Sequence, residues 1–249
     1  MQISKKNVCQ LSKIRAVFRK MLQKMATVDF KGVLFDLDGT LVDNYSAIHI
    51  TTCEAFKKFG IPAPTRDTIV KTVGGSILIT MQRLLANTEF SDIYADVADV
   101  YMGLFPNYVF YDLRLMPFAK ELLKALKEKG LKLACFTNKQ QEGADAILEK
   151  LGLLKCLDCV VATTLHSPRK PDKVYTEYAL NKIGLTSPET LVVGDSPFDY
   201  KAAKVCDVAC ALVATGGDEK QFLVEQCPDA VGVFDNLALL SEKVFDVKF

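Results

Sequence analysis

The sequence predicts an α/β fold, a doubly wound parallel sheet with a block of helices inserted after its first strand. Short apolar runs of strand length alternate with helical segments through most of the chain. Three of those segments close on a glycine: Gly130, Gly152 and Gly184. The stretch 44–116 breaks the rhythm, holding helical spacing with no strand-like run.

The first 28 residues are expected to form a basic arm. Leu11, Ile14, Phe18, Met21 and Met25 recur at helical steps, so the arm reads as an amphipathic helix without the continuous apolar stretch of a signal peptide. It suits a solvated or docking helix, a weak membrane-surface or targeting segment, or an extension upstream of a start at Met25. A dispensable arm is favoured.

The first strand is expected at 33–36, an apolar run that ends in charge. Tyr45, Ile48, Thr52, Ala55 or Phe56, and Phe59 then fall at helical spacing before Gly60. Ser76 suits the N-cap of a helix over 77–85, and Ser91 that of a helix bearing Ile93, Val97, Val100, Tyr101 and Leu104. Further strands are expected at 131–137, 159–164, 191–195, 209–215 and 230–234, with helices over 117–129, 139–151 and 172–183. The chain thus divides into the arm (1–28), a core domain (29–43 with 117–249) and a helical cap (44–116). The cap is expected over the carboxyl ends of the strands, where such sheets bind ligands.

Composition narrows the function. A chain of 249 residues, 49% apolar and 24% charged, is one large domain or a domain with an insertion, and no apolar run reaches the length of a membrane span. The net charge is +1, and residues 1–25 carry +7, which leaves the remainder at −6. A mildly acidic body argues against nucleic acid as a partner. Eight cysteines in a chain with a sizeable core and no secretory leader read as reduced thiols in the cytoplasm. Cys156-Leu-Asp-Cys159 has CxxC spacing but no second pair, so both are read as buried thiols. Nothing in the pattern bears on oligomeric state.

The chemistry gathers at the strand ends. The first strand delivers Asp36-Leu-Asp38-Gly39-Thr40, the second Thr137-Asn138-Lys139, and the fourth Gly194-Asp195-Ser196 followed by Asp199. Lys170-Pro171 lies in the loop after the third. In a parallel sheet these ends share one edge. Carboxylates gathered there repel one another unless a cation neutralises them, and an all-oxygen donor set suits Mg²⁺. With Thr137, Asn138 and Lys170 as donors, the edge becomes a receptor for a phosphoryl group. Two aspartates two residues apart can divide the work of nucleophile and general acid–base.

Asp36-Leu-Asp-Gly-Thr-Leu, Thr137-Asn, Lys170-Pro and Gly194-Asp-Ser-Pro-Phe-Asp199 together resemble, in order, the four motifs of the haloacid dehalogenase superfamily. The resemblance spans residues 33–215, and the last motif is similar to the phosphoglycolate phosphatase branch. It implies that Asp36 attacks phosphorus and that Asp38 protonates the leaving alcohol, then activates water. Thr137 and Asn138 would hold phosphoryl oxygens, and Lys170 would bridge phosphate and nucleophile. Asp36, the Asp38 backbone carbonyl and Asp195 would bind Mg²⁺, with Asp199 behind them. The partner implied is a small phosphorylated metabolite: a phosphoglycolate-like ester, a sugar phosphate or a nucleotide.

Asp38 argues against dehalogenation, which needs no proton for its leaving group. Hexose phosphomutases of the superfamily are the closest rival, followed by a non-catalytic phosphate-ligand or partner-binding protein. The mutases place a histidine twelve residues after the nucleophile, where this chain has Ile48, and His49 is displaced by about 100° around a helix. His49 and His166 are read as surface or packing residues, and Lys139 as a solvated residue of a first helical turn. Arg66, Lys71 and Arg83 are candidates for specificity in the cap, and Gly74-Gly75 for a close-approaching loop. Hinges are expected near Asp43–Asn44 and at 115–117. Many relatives have Pro-Gly where this chain has Pro117-Phe118.

Overall fold

The computed structural model describes residues 29–164 and 167–249. The arm, including Met25, and His166 lie outside them. The central strand is β1 (Gly32–Phe35), all of it buried. Around it stand β4 (Lys132–Gln140), β5 (Cys159–Thr163), β6 (Thr190–Gly194), β7 (Ala209–Val213) and β8 (Gly232–Phe234). Their order is β5-β4-β1-β6-β7-β8, and every pairing is parallel. The order runs outward from β1 in both directions, so a switch point lies at its carboxyl end.

Strand periodicity divides the core into two faces. Val33 and Phe35 pack with residues of α5 (Ala119–Glu128), α6 (Gln141–Lys150) and α10 (Leu237–Phe245), among them Leu122, Ile147 and Leu240. Leu34 points the other way, toward α7 (Lys173–Ile183), α8 (Pro197–Lys204) and α9 (Lys220–Gln226), where Ala179, Ala202 and Leu223 meet it. Each buried side chain of this size contributes about 1.5–3 kcal/mol. Truncating Phe35 to alanine would cost about 3–5 kcal/mol. Cys156 is buried on the first face, whereas Cys159, expected to be buried, is half-buried on the second, where its edge strand leaves it partly open; neither is paired.

Between β1 and β4 the chain forms α1 (Tyr45–Lys58), α2 (Arg66–Thr72), α3 (Ile77–Leu85) and α4 (Tyr94–Tyr108). These share a third apolar cluster that includes Ile48, Phe56, Met81, Leu85 and Val97. Ser76 caps α3, its hydroxyl accepting the Ile79 N–H at 3.4 Å. Ser91 does not cap α4. It opens a 3₁₀ turn, Ser91–Ile93, and its hydroxyl meets the Asp92 carboxylate instead.

The expectation of no strand within 44–116 is corrected by β3 (Arg114–Leu115), which pairs antiparallel with β2 (Val42–Asp43). Two residues are too short to leave a periodic signal. The ribbon lies where hinges were expected. Just beyond it Phe118 adopts φ 67°, a left-handed conformation that disfavours a side chain, and its ring stacks on Phe249 at 5.7 Å.

Candidate active site

Adjacent strands β4, β1 and β6 bring their carboxyl ends together. Lys170, 2% exposed, reaches them from the loop after β5. Its ammonium donates to Asp36 Oδ1 at 2.7 Å and to Asp199 Oδ1 at 2.6 Å. Asp199 is buried, and its other oxygen accepts the Ser196 backbone N–H (3.1 Å) and hydroxyl (2.7 Å) in the first turn of α8. That residue therefore does two jobs: it completes a capping box and it holds the lysine.

Asn138 serves Lys170 as well. Its Oδ1 accepts the Lys170 N–H at 2.7 Å and its Nδ2 donates to the Lys170 carbonyl at 3.1 Å. Thr137 Oγ1 accepts the Lys139 N–H at 3.2 Å, which leaves its own proton for another acceptor. Asp195 directly follows β6 and accepts from Thr40 Oγ1 at 3.1 Å. Gly39, at φ 86°, and Gly216 both pass so close to the Asp195 carboxylate that a methyl group at either would overlap it.

Carboxylate oxygens of Asp36, Asp195 and Asp199 lie within 4.8 Å of one another. Burial, opposed by Lys170 and aided by Asp199, pushes the Asp36 carboxyl up to about 6. Burial and the neighbouring Asp36 push Asp195 well above the usual carboxylate range. Burial works against the Lys170 charge, yet Asp199 and Asp36 hold its pKa above the ordinary value. Three acids and one lysine leave a surplus of negative charge in a dry site. The hard oxygen donors and the raised carboxyls both fit a divalent cation such as Mg²⁺.

Asp38 stands apart from this cluster. Its Oδ2 accepts from Lys139 Nζ at 2.9 Å, and its Oδ1 is buried without a partner among the described residues. The reading of Lys139 as a solvated helical residue is therefore corrected. β4 runs on to Gln140 with a shift of register after Phe136, so Lys139 belongs to a strand end and its side chain is 8% exposed. The ammonium also lies 4.6 Å over the Phe105 ring of α4.

Other expectations shift too. His49 has partners: its Nε2 lies 2.9 Å from the Pro64 carbonyl and 3.4 Å from Cys53 Sγ. Arg83 sits over the Phe198 ring at 5.1 Å, Arg66 lies 3.7 Å from Asp43, and Lys71 is exposed. Gly74 runs beside Ser196 and Phe198, a close approach of loop to core. Sequence reasoning placed Thr40 at the strand end without a role, and it missed Thr163, Tyr175 and Thr215. Tyr175 donates to the Thr137 carbonyl at 2.7 Å, Thr163 to the Asn138 carbonyl at 2.9 Å, and Thr215 to the Gly39 carbonyl at 2.6 Å. Thr163 and Thr215 fall at ends of expected strands, which was the available signal.

Next to Asp38 and Asn138 opens a cavity of about 540 Å³, walled by α1, α3 and α4 on one side and by α6 and the end of β4 on the other. Ile48 lines it and His49 does not; His49 lines a separate, more open cleft. Arg66, Lys71 and Arg83 are not among its walls.

The arrangement has counterparts among known proteins. A curated phosphoglycolate phosphatase from Aquifex aeolicus is 29% identical over 209 residues, covering 82% of this chain and 96% of the relative. Another, from Vibrio parahaemolyticus, is 29% identical over 226 residues, covering 88% and 98%. A solved structure from Haemophilus somnus, described as a predicted phosphoglycolate phosphatase, gives a TM-score of 0.76 at 25% identity, covering 87% of this chain and 98% of that one. A hydrolase from Pseudomonas syringae gives 0.73 at 25% identity, covering 88% and 100%. A family model for haloacid dehalogenase-like hydrolases matches residues 33–213, a span that contains Asp36, Asp38, Thr137, Asn138, Lys170, Asp195 and Asp199, and the chain belongs to that family.

Proposed function

We propose that the protein is a Mg²⁺-dependent phosphatase that hydrolyses a small phosphomonoester through an aspartyl-phosphate on Asp36. The observation that carries this reading is the Lys170 bridge between Asp36 and Asp199, set beside Asp38 at the mouth of a cavity. In this reading an Asp36 oxygen attacks phosphorus and the ester P–O bond breaks. Asp38 gives the departing oxygen a proton, then takes one from the water that attacks phosphorus and frees Asp36. Lys170 neutralises the nucleophile's surroundings and meets a phosphoryl oxygen. Thr137 donates its remaining hydroxyl proton to another, while Asn138 fixes the Lys170 backbone.

Asp36, Asp195 and the Asp38 backbone carbonyl would hold Mg²⁺, with Asp199 behind Lys170. When bound, the ion would neutralise part of the charge on the phosphoryl oxygens. Residues 44–116 act as a cap, hinged at the β2–β3 ribbon, over a core formed by 29–43 and 117–249. Scattering that stays unchanged on adding Mg²⁺ and a phosphate analogue would count against that motion.

Hydrolysis is favoured over transfer to a second hydroxyl because Ile48, not His49, faces the cavity. Relatives named phosphoglycolate phosphatase support a phosphoglycolate-like ester, and a sugar phosphate or a nucleotide would present the same phosphomonoester to the site. The seven cysteines among the described residues are all unpaired, which supports a reducing, cytoplasmic setting. No helix among those residues is long and apolar enough to cross a membrane. The test is phosphate release from a panel of phosphorylated metabolites with Mg²⁺, with chelator, and for Asp36→Asn. Turnover that survives both the chelator and the substitution would overturn the reading.

A further inference from the structure

We propose that the cavity at Asp38 selects phosphomonoesters whose departing alcohol carries a neutral, largely apolar body of ring size, in preference to the two-carbon carboxylate of phosphoglycolate. This rests on the phosphatase reading above and departs from the phosphoglycolate-like and sugar members of its substrate class.

Size is the first argument. A space of about 540 Å³ falls within the range of pockets that enclose drug-sized ligands, about 300–1,000 Å³. A two-carbon acid would leave most of it to water against Ile48, Ile77, Met102, Phe105 and Val109. Those walls gain only from an occupant that displaces this water.

Charge is the second. The cations of the lining are Lys139 and Arg169, set against Asp38, Asp99 and Glu142. Lys139 is already bonded to Asp38 and covered by Phe105. Arg169 donates to the Ser167 carbonyl at 3.5 Å. A carboxylate on the leaving group would have to compete with Asp38 for Lys139, or with the existing partners of Arg169, while facing two exposed acids.

Hydrogen-bonding capacity is the third. The Thr80 hydroxyl donates to the Ser76 carbonyl at 3.1 Å, and that of Thr163 to the Asn138 carbonyl. The Ser76 hydroxyl accepts from Ile79 N and keeps its own proton. With the Thr80 and Thr163 protons given to the backbone, this part of the wall offers few donors to the several hydroxyls of a sugar. A ring or branched aliphatic body meets the wall by contact alone.

The test compares kcat/KM for 2-phenylethyl phosphate, glucose 6-phosphate and 2-phosphoglycolate, using the full chain with Mg²⁺. The first two arguments expect 2-phenylethyl phosphate to lead 2-phosphoglycolate by about tenfold or more. Equal or better turnover of 2-phosphoglycolate, or of glucose 6-phosphate, overturns the proposal. Acetyl phosphate separates the levels of failure, because its leaving group needs neither the cavity nor a strong acid. Hydrolysis of acetyl phosphate without the apolar preference sinks this inference alone, and silence on all four sinks the phosphatase reading with it.

Two substitutions locate the effect. Ile77→Asp places a carboxylate in the apolar wall at the first position of α3, where an acid suits the helix dipole and the fold. Met102→Trp fills the space. Both should lower the ratio of 2-phenylethyl phosphate to acetyl phosphate turnover by about tenfold. An unchanged ratio in both places the alcohol elsewhere and overturns the proposal.

Discussion

The two ends of the site are built on different terms. At the phosphoryl end, Lys170, Asp36, Asp199 and Asn138 form a closed network in which charge meets charge at 2.6–2.7 Å and the lysine backbone is held at both its N–H and its carbonyl. At the other end, α1, α3 and α4 present apolar side chains, and Lys139, paired with Asp38 and lying over Phe105 of α4, joins them to the chemistry. A charge network demands particular residue types at particular positions. An apolar wall demands only volume, which many side chains supply.

The sharpest way to break the first end is Asp36→Asn, which should lower phosphate release by about 10⁴-fold or more while the far-ultraviolet dichroism stays native. Next in size is Lys170→Met. It leaves two buried acids without their counter-charge and should cost about 3–5 kcal/mol in urea unfolding. Adding Asp199→Asn to that variant should return part of the loss. A double variant no more stable than Lys170→Met would mean that Asp199 carries no uncompensated charge.

Acidity sharpens the comparison further. The folded Asp36 titrates near 6 against an ordinary 3.8, so between those values the folded state binds more protons than the unfolded one. The stability of the metal-free protein should therefore fall as pH rises from about 4 to 6. Mg²⁺ competes with those protons, so its stabilisation in thermal melts should be small at pH 5 and several degrees at about pH 8. Equal shifts at the two pH values would falsify the carboxylate site.

At the other end the effects are smaller. Lys139→Met should lower kcat about tenfold by freeing Asp38 to turn, and Lys139→Arg should recover part of it. Smallest is Phe118→Gly. Relief of the left-handed backbone is worth about 1–2 kcal/mol, and loss of the stack on Phe249 takes back about 0.5–1.5 kcal/mol. A melt should show a net gain near or below about 1 kcal/mol. A clear loss would mean that the ring contact outweighs the strain.

This division explains what could be read from the residues alone. Asp36 and Asp195 were legible because buried strands ending in charge have few structural reasons to do so, and Lys170 because Lys170-Pro171 falls in order among the resembling motifs. Lys139 was not. Its place depends on β4 running past Phe136 with a shifted register, and no apolar periodicity records that extension. Nor was the Asn138 grip on the Lys170 backbone, since a strand-end amide serves phosphate and peptide equally well. His49 met Pro64 through a tertiary contact that helical spacing does not encode. The short α2, with Ile69 its one buried residue, left too little pattern to mark. The cavity belongs to the same category, because its walls are ordinary helix-core residues until the fold sets them opposite Asp38.

The turn that opens α8 bears on how such proteins exchange parts. Ser196 and Asp199 join it to Lys170, while Phe198 between them touches Arg83 and runs beside Gly74 of the inserted helices. One four-residue turn is thus a point where the inserted segment and the catalytic lysine share a support. A chimera that carries a foreign insertion on this sheet must bring a small residue for the Gly74 position and a flat or cationic partner for Phe198. Without them the graft would press on the same turn that keeps Asp199 aimed at the lysine, and a change made for specificity would surface as a loss of catalytic rate.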